Sequence, residues 1–230
     1  SAGLAIVLKD KNYLFTDGRY TIQSENESGK YFKIINYEKI INCNLFKNLK
    51  LGIDPKLFTH HQINNYFLKH NKVKFLSNNL IDEIKISKIT NNVPFFSIKD
   101  EIIGENSKSK INKITKYLKK NKADNLFVSA PENVAWILNI RGDDGPNSPV
   151  PNSRLIINKS KKIFLITEPQ KANKLIKEKI INKKQLIITS NLPKKIVSLT
   201  GKNFIIDNKS CSIYYENTIK SKFKIIKRED

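Results

Sequence analysis

The architecture of this chain follows from two stretches, LAIVLKDKNYLFT at residues 4–16 and LIINKSKKIFLI at residues 155–166. In each stretch, two apolar runs flank a polar turn, Lys9–Asn12 in the first and Lys159–Lys162 in the second. Short β-branched and aromatic runs joined by a polar turn are typical of a β-hairpin. We therefore predict the same hairpin twice in one chain.

Further strands and helices follow both hairpins in the same order, which indicates an internal duplication. Five pairs of predicted strand starts are separated by 150 to 155 residues: Leu4 and Leu155, Tyr13 and Ile163, Tyr31 and Leu186, Leu51 and Phe204, Val73 and Phe223. Both copies also place an aspartate after the fourth strand, Asp54 and Asp207. The pattern predicts an α/β protein of two domains with mixed sheets flanked by helices, 1–92 and 93–230, joined by the polar connector Asn91–Pro94.

The second copy contains a helix–strand–helix segment ahead of its hairpin that the first copy lacks. Ile111, Ile114 and Leu118 mark its amphipathic first helix, and a strand at 125–129 and a helix at 131–139 follow. On that last helix we expect Trp136 to be buried in the core. The chain also contains no methionine, so we expect the first domain to be truncated at its N-terminus.

Composition limits the classes of protein to consider. Forty-two Lys and Arg against 21 Asp and Glu give a net charge of +21. Such an excess of positive charge suggests binding to nucleic acid or to another anionic polymer. Only four of these cations are arginines, and the lysines are scattered rather than interleaved with aromatic residues, so we expect a solvated lysine surface. No apolar run is long enough for a membrane helix, no signal peptide is present, and Cys43 and Cys211 lack a disulfide or zinc spacing. These features predict a cytoplasmic protein that binds no membrane.

Two motifs resemble a known family. Residues 1–7, SAGLAIV, and 15–20, FTDGRY, with Gln23 after them, resemble the "SAGTA…TDGRYFLQA" stretch in the first domain of Xaa-Pro aminopeptidases. Residues 132–144, ENVAWILNIRGDD, followed by NSPV at 147–150, resemble the second-domain stretch "DEIAWLLNLRGSD…NPV" of the three-domain members. The chain departs from the family after this point, where residues 151–154 replace the usual aromatic "FFSY".

The resemblance implies two creatinase-N-like α/β domains of a longer enzyme. In that family a C-terminal pita-bread domain holds two divalent metal ions, usually manganese, on two Asp, one His and two Glu. It removes the N-terminal residue that precedes proline. The implied role of this region is noncatalytic, in substrate access and dimerisation. Its implied partners are the missing C-terminal domain, proline-containing peptides and a second copy.

The residues themselves predict neither a catalytic centre nor a metal site in this piece. Metal-assisted hydrolysis needs several converging His and carboxylate ligands, and His60, His61 and His70 fall on one predicted helix without an acidic neighbour placed as a ligand. No nucleophile elbow, P-loop or dinucleotide-binding turn occurs.

Two segments are candidates for substrate binding or for a domain interface. Arg19 follows the Asp17–Gly18 turn, where a glycine permits a tight reversal. Arg19 can pair with Asp17 or with a carboxylate of the missing domain, and by resemblance it faces the cleft and helps to bind the peptide.

The second candidate is the polar loop at 141–146. Asp143 or Asp144 can accept backbone N–H groups there while Arg141 pairs locally. By resemblance, the loop lies near the active-site entrance or a domain interface.

Two alternatives to the peptidase interpretation stay open. One is a lysine-rich module that binds anionic polymers or nucleic acid, and the other is a stand-alone pseudoenzyme without a third domain. Peptide preference, metal identity and oligomeric state do not follow from the sequence.

Overall fold

A computed structural model describes residues 3–41, 45–84, 92–99, 101–145 and 147–228. Four features of the sequence analysis lie wholly or partly outside this range, namely Ser1 and Ala2 of the first motif, Cys43, the start of the connector at Asn91, and Pro146 of the polar loop. The chain divides into two compact units. The first holds the described residues up to Ile53 together with His61–Phe75, and the second holds Asp54–His60 and the described residues from Leu76 onward.

The first unit is built on a hairpin and a parallel strand pair. Its strands are β1 (Gly3–Val7), β2 (Asn12–Thr16), β3 (Lys33–Asn36), β4 (Lys50–Ile53) and β5 (Lys72–Phe75). Strands β1 and β2 are antiparallel, β3 runs parallel to β2, and β4 and β5 form a separate parallel pair. The helices are α1 (Thr21–Ser28) and α2 (His60–Tyr66), with 3-10 turns at Gly18–Tyr20 and Tyr37–Ile40.

Aromatic side chains form the core of the first unit. Phe15 is fully buried, and its ring meets the ring of Phe46 edge to face at a centroid distance of 6.3 Å. Phe46 in turn contacts Phe67 at 6.4 Å. Rings at these distances add a favourable electrostatic contribution to the burial of their apolar area.

The second unit is built on a six-stranded mixed sheet covered by helices. Its elements are α3 (Leu80–Ile84), β6 (Phe96–Ser97), α4 (Ser107–Lys120), β7 (Asn125–Val128), α5 (Pro131–Leu138), β8 (Ile140–Arg141), β9 (Arg154–Asn158), β10 (Ile163–Ile166), α6 (Pro169–Lys177), β11 (Leu186–Ile187), α7 (Leu192–Ser198), β12 (Asn203–Asp207), α8 (Ile213–Lys220) and β13 (Lys224–Arg228). The strand order is β11-β10-β9-β7-β12-β13, and β6 pairs separately with β8. Helices cover both faces, so the central strands are continuous apolar runs: Leu155, Ile156 and Ile157 are fully buried.

The predicted duplication appears in the strand pairing. The strands of the second set begin 151 to 153 residues after those of the first: Gly3 and Arg154, Asn12 and Ile163, Lys33 and Leu186, Lys50 and Asn203, Lys72 and Lys224. The strand directions also match between the two units. In both units the first two strands form an antiparallel hairpin, the third strand runs parallel to the second, and the last two strands pair in parallel. Asp54 and Asp207 also repeat one local contact, since each carboxylate accepts the backbone N–H two residues on, at 2.8 and 2.9 Å.

The prediction that Trp136 lies in the core is wrong, because this side chain is 56% exposed. Helix α5 buries Val134, Ala135, Ile137 and Leu138. At 100° per residue these positions form one face, and Trp136 lies opposite its centre. Helix α5 ends before Ile140, because Asn139 adopts a left-handed conformation with φ of 53°.

Candidate functional site

Asp17 and Arg19, the candidate pair of the first unit, form a two-point ion pair at the end of β2. Arg19 Nε donates to Asp17 Oδ1 at 2.8 Å, and Nη2 donates to Oδ2 at 3.3 Å. Asp17 Oδ1 also accepts the backbone N–H of Arg19 at 2.9 Å and so caps the 3-10 turn at Gly18–Tyr20. The hydrogen bond from the Arg19 side chain lowers the pKa of the Asp17 carboxyl, and the same contact raises the pKa of Arg19.

The guanidinium of Arg19 stays open to solvent despite this pair. Its side chain is 78% exposed, against 43% for the side chain of Asp17. The pair therefore orients the cation without burying it, and Nη1 takes no part in the contact with Asp17. A further acceptor, such as a peptide carbonyl or carboxylate, can be bound there.

The glycine of this turn is not needed for a reversal, so the reason given above for Gly18 is wrong. Gly18 does not have a positive φ, and a Cβ placed on it would meet its nearest neighbour, Asn36 Nδ2, at 3.8 Å. This is ordinary van der Waals contact. The turn is set by the Asp17 cap instead.

Arg141 and Gly142 lie in the second unit, where the short strand β8 pairs with β6. Arg141 is half-buried, and its Nη1 donates to the carbonyl of Ile140 at 2.9 Å. Gly142 is buried, and a Cβ there would lie 2.8 Å from both Phe95 Cδ1 and Pro151 Cα. Only a glycine therefore fits between this ring and this backbone.

Asp144 is held from two sides. Its Oδ1 accepts the ammonium of Lys171 on α6, and its Oδ2 accepts the backbone N–H of Asn152 at 2.6 Å. The side chains of Lys171 and Asp144 are only 11% and 14% exposed. This pair fixes the loop between β8 and β9. Asp143, beside it, is exposed.

Of the three candidate side chains in the polar loop, Arg141 donates to a carbonyl, Asp144 binds Lys171, and Asp143 is exposed. Lys171 is a residue of this loop's environment that was not predicted from the sequence. A signal was present, because Lys171 lies four residues before Leu175 and so falls on the buried face of α6.

Lys110 on α4 is a second buried lysine that was not predicted. It is 4% exposed and lies four residues before Ile114, on the same face of the helix. Its Nζ donates to the carbonyl of Trp136 and to Asn139 Oδ1, both at 2.6 Å, and lies 4.2 Å from the centre of the Trp136 ring. Burial lowers the pKa of Lys110. The cation satisfies the carboxyl end of α5, where the helix dipole favours positive charge.

The histidines do not lie on one helix as predicted, because α2 ends at Tyr66 and His70 lies beyond it. His61 Nε2 is 3.0 Å from the Asn65 side-chain nitrogen. Over the residues that the structure describes, no group of three or more His, Cys, Asp or Glu could hold a metal ion. The described residues therefore offer no ligand set for the two-metal centre, which the resemblance places in the C-terminal domain of the intact enzyme.

The fold and the two motifs are those of a known domain family. The family model of the creatinase/prolidase N-terminal domain matches residues 88–230, and the chain belongs to this family. In the described ranges, no helix is both long and apolar enough to span a membrane.

The relatives that the chain matches include Xaa-Pro aminopeptidases. The chain is 31% identical over 202 residues to Xaa-Pro aminopeptidase 1 of Dictyostelium discoideum, which covers 78% of this chain and 32% of the relative. It is also 31% identical to a probable Xaa-Pro aminopeptidase P of Laccaria bicolor, over 74% of this chain and 29% of the relative. This chain thus spans about a third of the length of these relatives.

The fold is that of a solved structure. The crystal structure of an X-prolyl aminopeptidase from Caenorhabditis elegans, described as a cytosolic enzyme with a di-nuclear active site, superimposes with a TM-score of 0.79. The match covers 98% of this chain and 40% of that one at 18% identity. The predicted fold, mixed α/β with sheets flanked by helices, is confirmed.

Proposed function

We propose that this chain is the noncatalytic N-terminal region of an Xaa-Pro aminopeptidase, made of two creatinase-N-like domains at 1–92 and 93–230. The observation that carries the proposal is the 31% identity over 78% of the chain to an Xaa-Pro aminopeptidase. The repeated strand pairing supports two domains of one kind, because five strands recur with the same directions.

In the intact enzyme, a further C-terminal domain carries the hydrolysis of the bond that precedes proline. Two divalent metal ions, manganese by the family resemblance, supply the Lewis acid and the activated water when bound there. The two domains described above limit access to the cleft and take part in a homodimer, in a cytoplasmic enzyme.

Arg19 is the residue that we assign to the substrate. Its guanidinium is exposed, charged and oriented by Asp17, so it can donate to a peptide carbonyl or carboxylate without first losing the freedom of a long side chain. Asp17 acts as a positioning residue.

The loop at 141–146 belongs to the scaffold that shapes the entrance. Gly142 packs against Phe95, and Asp144 binds Lys171. Asp143 is exposed and Arg141 is half-buried, so these two are our candidates for a domain interface.

The test uses the intact enzyme encoded by the complete reading frame. Variants Arg19→Ala and Arg19→Lys are assayed on Xaa-Pro peptides, with Lys9→Ala as the control, since Lys9 is an exposed cation in the turn of the first hairpin. A hydrogen bond to a charged group contributes about 1.5–3 kcal/mol, so kcat/KM falls by about tenfold or more in Arg19→Ala. Arg19→Lys recovers part of the loss, and Lys9→Ala changes nothing.

Two results would overturn the proposal at different levels. Unchanged kcat/KM in Arg19→Ala removes the substrate role of Arg19 but leaves the assignment of the domains. A reading frame without a metallopeptidase segment after residue 230 removes the peptidase assignment itself. Sedimentation of the intact enzyme tests the homodimer separately.

A further inference from the structure

The first unit contains an open cavity of about 560 Å³ beside its parallel strands β4 and β5. Its described lining comes from the two segments that lead into these strands, residues 48–50 and 68–72. Because the strands are parallel, their first residues lie at the same edge of the sheet, and Lys50 is directly opposite Lys72 in the register. We call this site the β4–β5 cavity.

Four side chains around the β4–β5 cavity can carry positive charge. Lys50, Lys69 and Lys72 are exposed, and His70 is half-buried. Among the described residues that line the cavity, none is an Asp or a Glu. Within the described part of the chain, the three lysines also form no ion pair. Like charges directly opposite each other on neighbouring strands repel, so an anion bound between Lys50 and Lys72 would stabilise this edge.

The two segments that carry these cations are fixed to each other. The backbone N–H of Asn48 donates to the carbonyl of His70, and the backbone N–H of Lys72 donates to the carbonyl of Leu49, both at 2.8 Å. Asn71 is buried, and its Oδ1 accepts the backbone N–H of Leu49 at 3.1 Å. A ligand therefore meets a backbone that is already ordered, which reduces the entropy lost on binding.

We propose that the β4–β5 cavity binds a small anion with two or more linked phosphate groups, such as pyrophosphate. Each lysine ammonium offers three donors to phosphate oxygens, and the imidazole of His70 offers a further N–H. Three clustered lysines match a multiply charged anion better than a single carboxylate. A cavity of about 560 Å³ is also within the size range of small-molecule sites.

The lining favours a free polyphosphate over a nucleic-acid strand. Sites for single strands combine a cationic groove with aromatic rings on which bases stack. Among the described residues of the lining, none is Phe, Tyr or Trp, and the exposed apolar side chain is Leu68, at 47%. The cavity can thus hold phosphate groups but offers a base no such ring. This inference concerns the first unit alone and does not depend on the proposed peptidase role.

Lysine footprinting tests the site residue by residue. The intact polypeptide encoded by the complete reading frame is acetylated with N-hydroxysuccinimidyl acetate, with and without pyrophosphate at physiological salt, and each lysine is read by mass spectrometry. Pyrophosphate at about ten times its dissociation constant should slow acetylation of Lys50, Lys69 and Lys72 by about tenfold, because occupied sites exclude the reagent. Lys9 and Lys11, exposed in the turn of the first hairpin, are internal controls and should react at unchanged rates.

A matched pair of double variants tests the affinity by calorimetry. Lys50→Gln with Lys72→Gln removes two charges from the cavity, whereas Lys9→Gln with Lys11→Gln removes two charges from elsewhere in the same unit. The dissociation constant for pyrophosphate should rise about tenfold in the first double variant, since two exposed ion pairs are lost, and stay unchanged in the second. Pyrophosphate bound elsewhere on the intact polypeptide contributes equally to both variants. All four lysines are exposed, and thermal unfolding checks that both variants fold.

Three outcomes would overturn the proposal. Equal protection of Lys9 and Lys11 would show a general attraction of anions to a lysine-rich surface. Equal dissociation constants in the two double variants would place the bound pyrophosphate at another site. Protection of Lys50, Lys69 and Lys72 by polyuridylate that is at least as strong as that by pyrophosphate would assign these lysines to a nucleic-acid backbone.

Discussion

Lys171 and Asp144 form an ion pair whose two side chains are both largely removed from water, at 11% and 14% exposure. Lys171 belongs to α6 and Asp144 to the loop between β8 and β9, so the pair joins a helix to a loop across 27 residues of sequence. The second Asp144 oxygen is taken by the backbone of Asn152. Each charge therefore has a partner, as buried charges require.

We expect removal of one partner to destabilise the second unit strongly. In Lys171→Met the carboxylate stays buried without its cation, which costs about 3–5 kcal/mol in the free energy of unfolding. Urea unfolding measures this cost. The control is Lys174→Met on the same helix, whose pair with Glu178 is 3.8 Å long and exposed, and it should cost less than about 1 kcal/mol. A double variant, Lys171→Met with Asp144→Asn, should recover part of the loss. Equal effects of the two single lysine variants would show that the buried pair has no special weight.

Gly142 and Gly145 are two glycines of one loop with opposite expected responses to alanine. A Cβ at Gly142 meets Phe95 Cδ1 and Pro151 Cα at 2.8 Å, and the second contact is with backbone that cannot rotate away. Gly142→Ala should cost about 1–3 kcal/mol in the free energy of unfolding. At Gly145 the nearest atom is 3.8 Å away, so Gly145→Ala should leave thermal stability within about 0.5 kcal/mol. A similar loss in both variants would contradict the packing argument.

The sequence predicts the fold well because the spacing of apolar residues and the internal repeat depend on the burial of whole strands and helices. The strand at 163–166 and the helix that starts at Pro169 lie where the pattern places them. Single side chains are harder to predict. Lys110 and Lys171 look like surface residues by type, yet both lie on buried faces where carbonyls or a carboxylate compensate the charge. The prediction for Trp136 is wrong in the opposite sense. Its large apolar ring suggests burial, but its angular position on α5 places it on the exposed face of the helix. Neither outcome follows from composition, because each depends on what the neighbouring element presents.

The ionisation of Asp124 makes the stability of the second unit vary with pH in the acid range. Burial alone would raise the pKa of Asp124, but hydrogen bonds from the backbone of Asn203, the Lys159 ammonium and the backbone of Lys202 outweigh it and lower the pKa to about 2. A folded pKa below the unfolded value means that the contribution is present above about pH 4 and is lost as the pH falls towards 2. Asp124→Asn should therefore cost about 2 kcal/mol at pH 7, and its unfolding free energy should converge with the wild-type value near pH 2. A constant difference across this pH range would show that shape rather than charge matters at Asp124.

Lys110 and Trp136 offer a spectroscopic readout, because Trp136 is the only tryptophan of the chain. The Lys110 ammonium lies 4.2 Å from the ring centre, so its deprotonation removes a charge from the face of the indole. Burial, opposed by Glu105 and assisted by Arg141 and Lys113, lowers the pKa of Lys110 below 10.5. The unfolded state then binds more protons between the two pKa values, so stability rises as the pH increases through this interval.

We expect the emission of Trp136 to change with pH below the ordinary titration of lysine, and Lys110→Met to remove this step. Tyrosine ionisation also quenches tryptophan at alkaline pH, so the informative quantity is the difference between the wild-type and variant curves. Lys113→Met is the matched control on the same helix, because Lys113 is 69% exposed and pairs with Glu105. The step should persist in that variant. If Lys110→Met keeps the step, or if the step occurs at the pH of free lysine, the ammonium does not rest on the indole ring in solution.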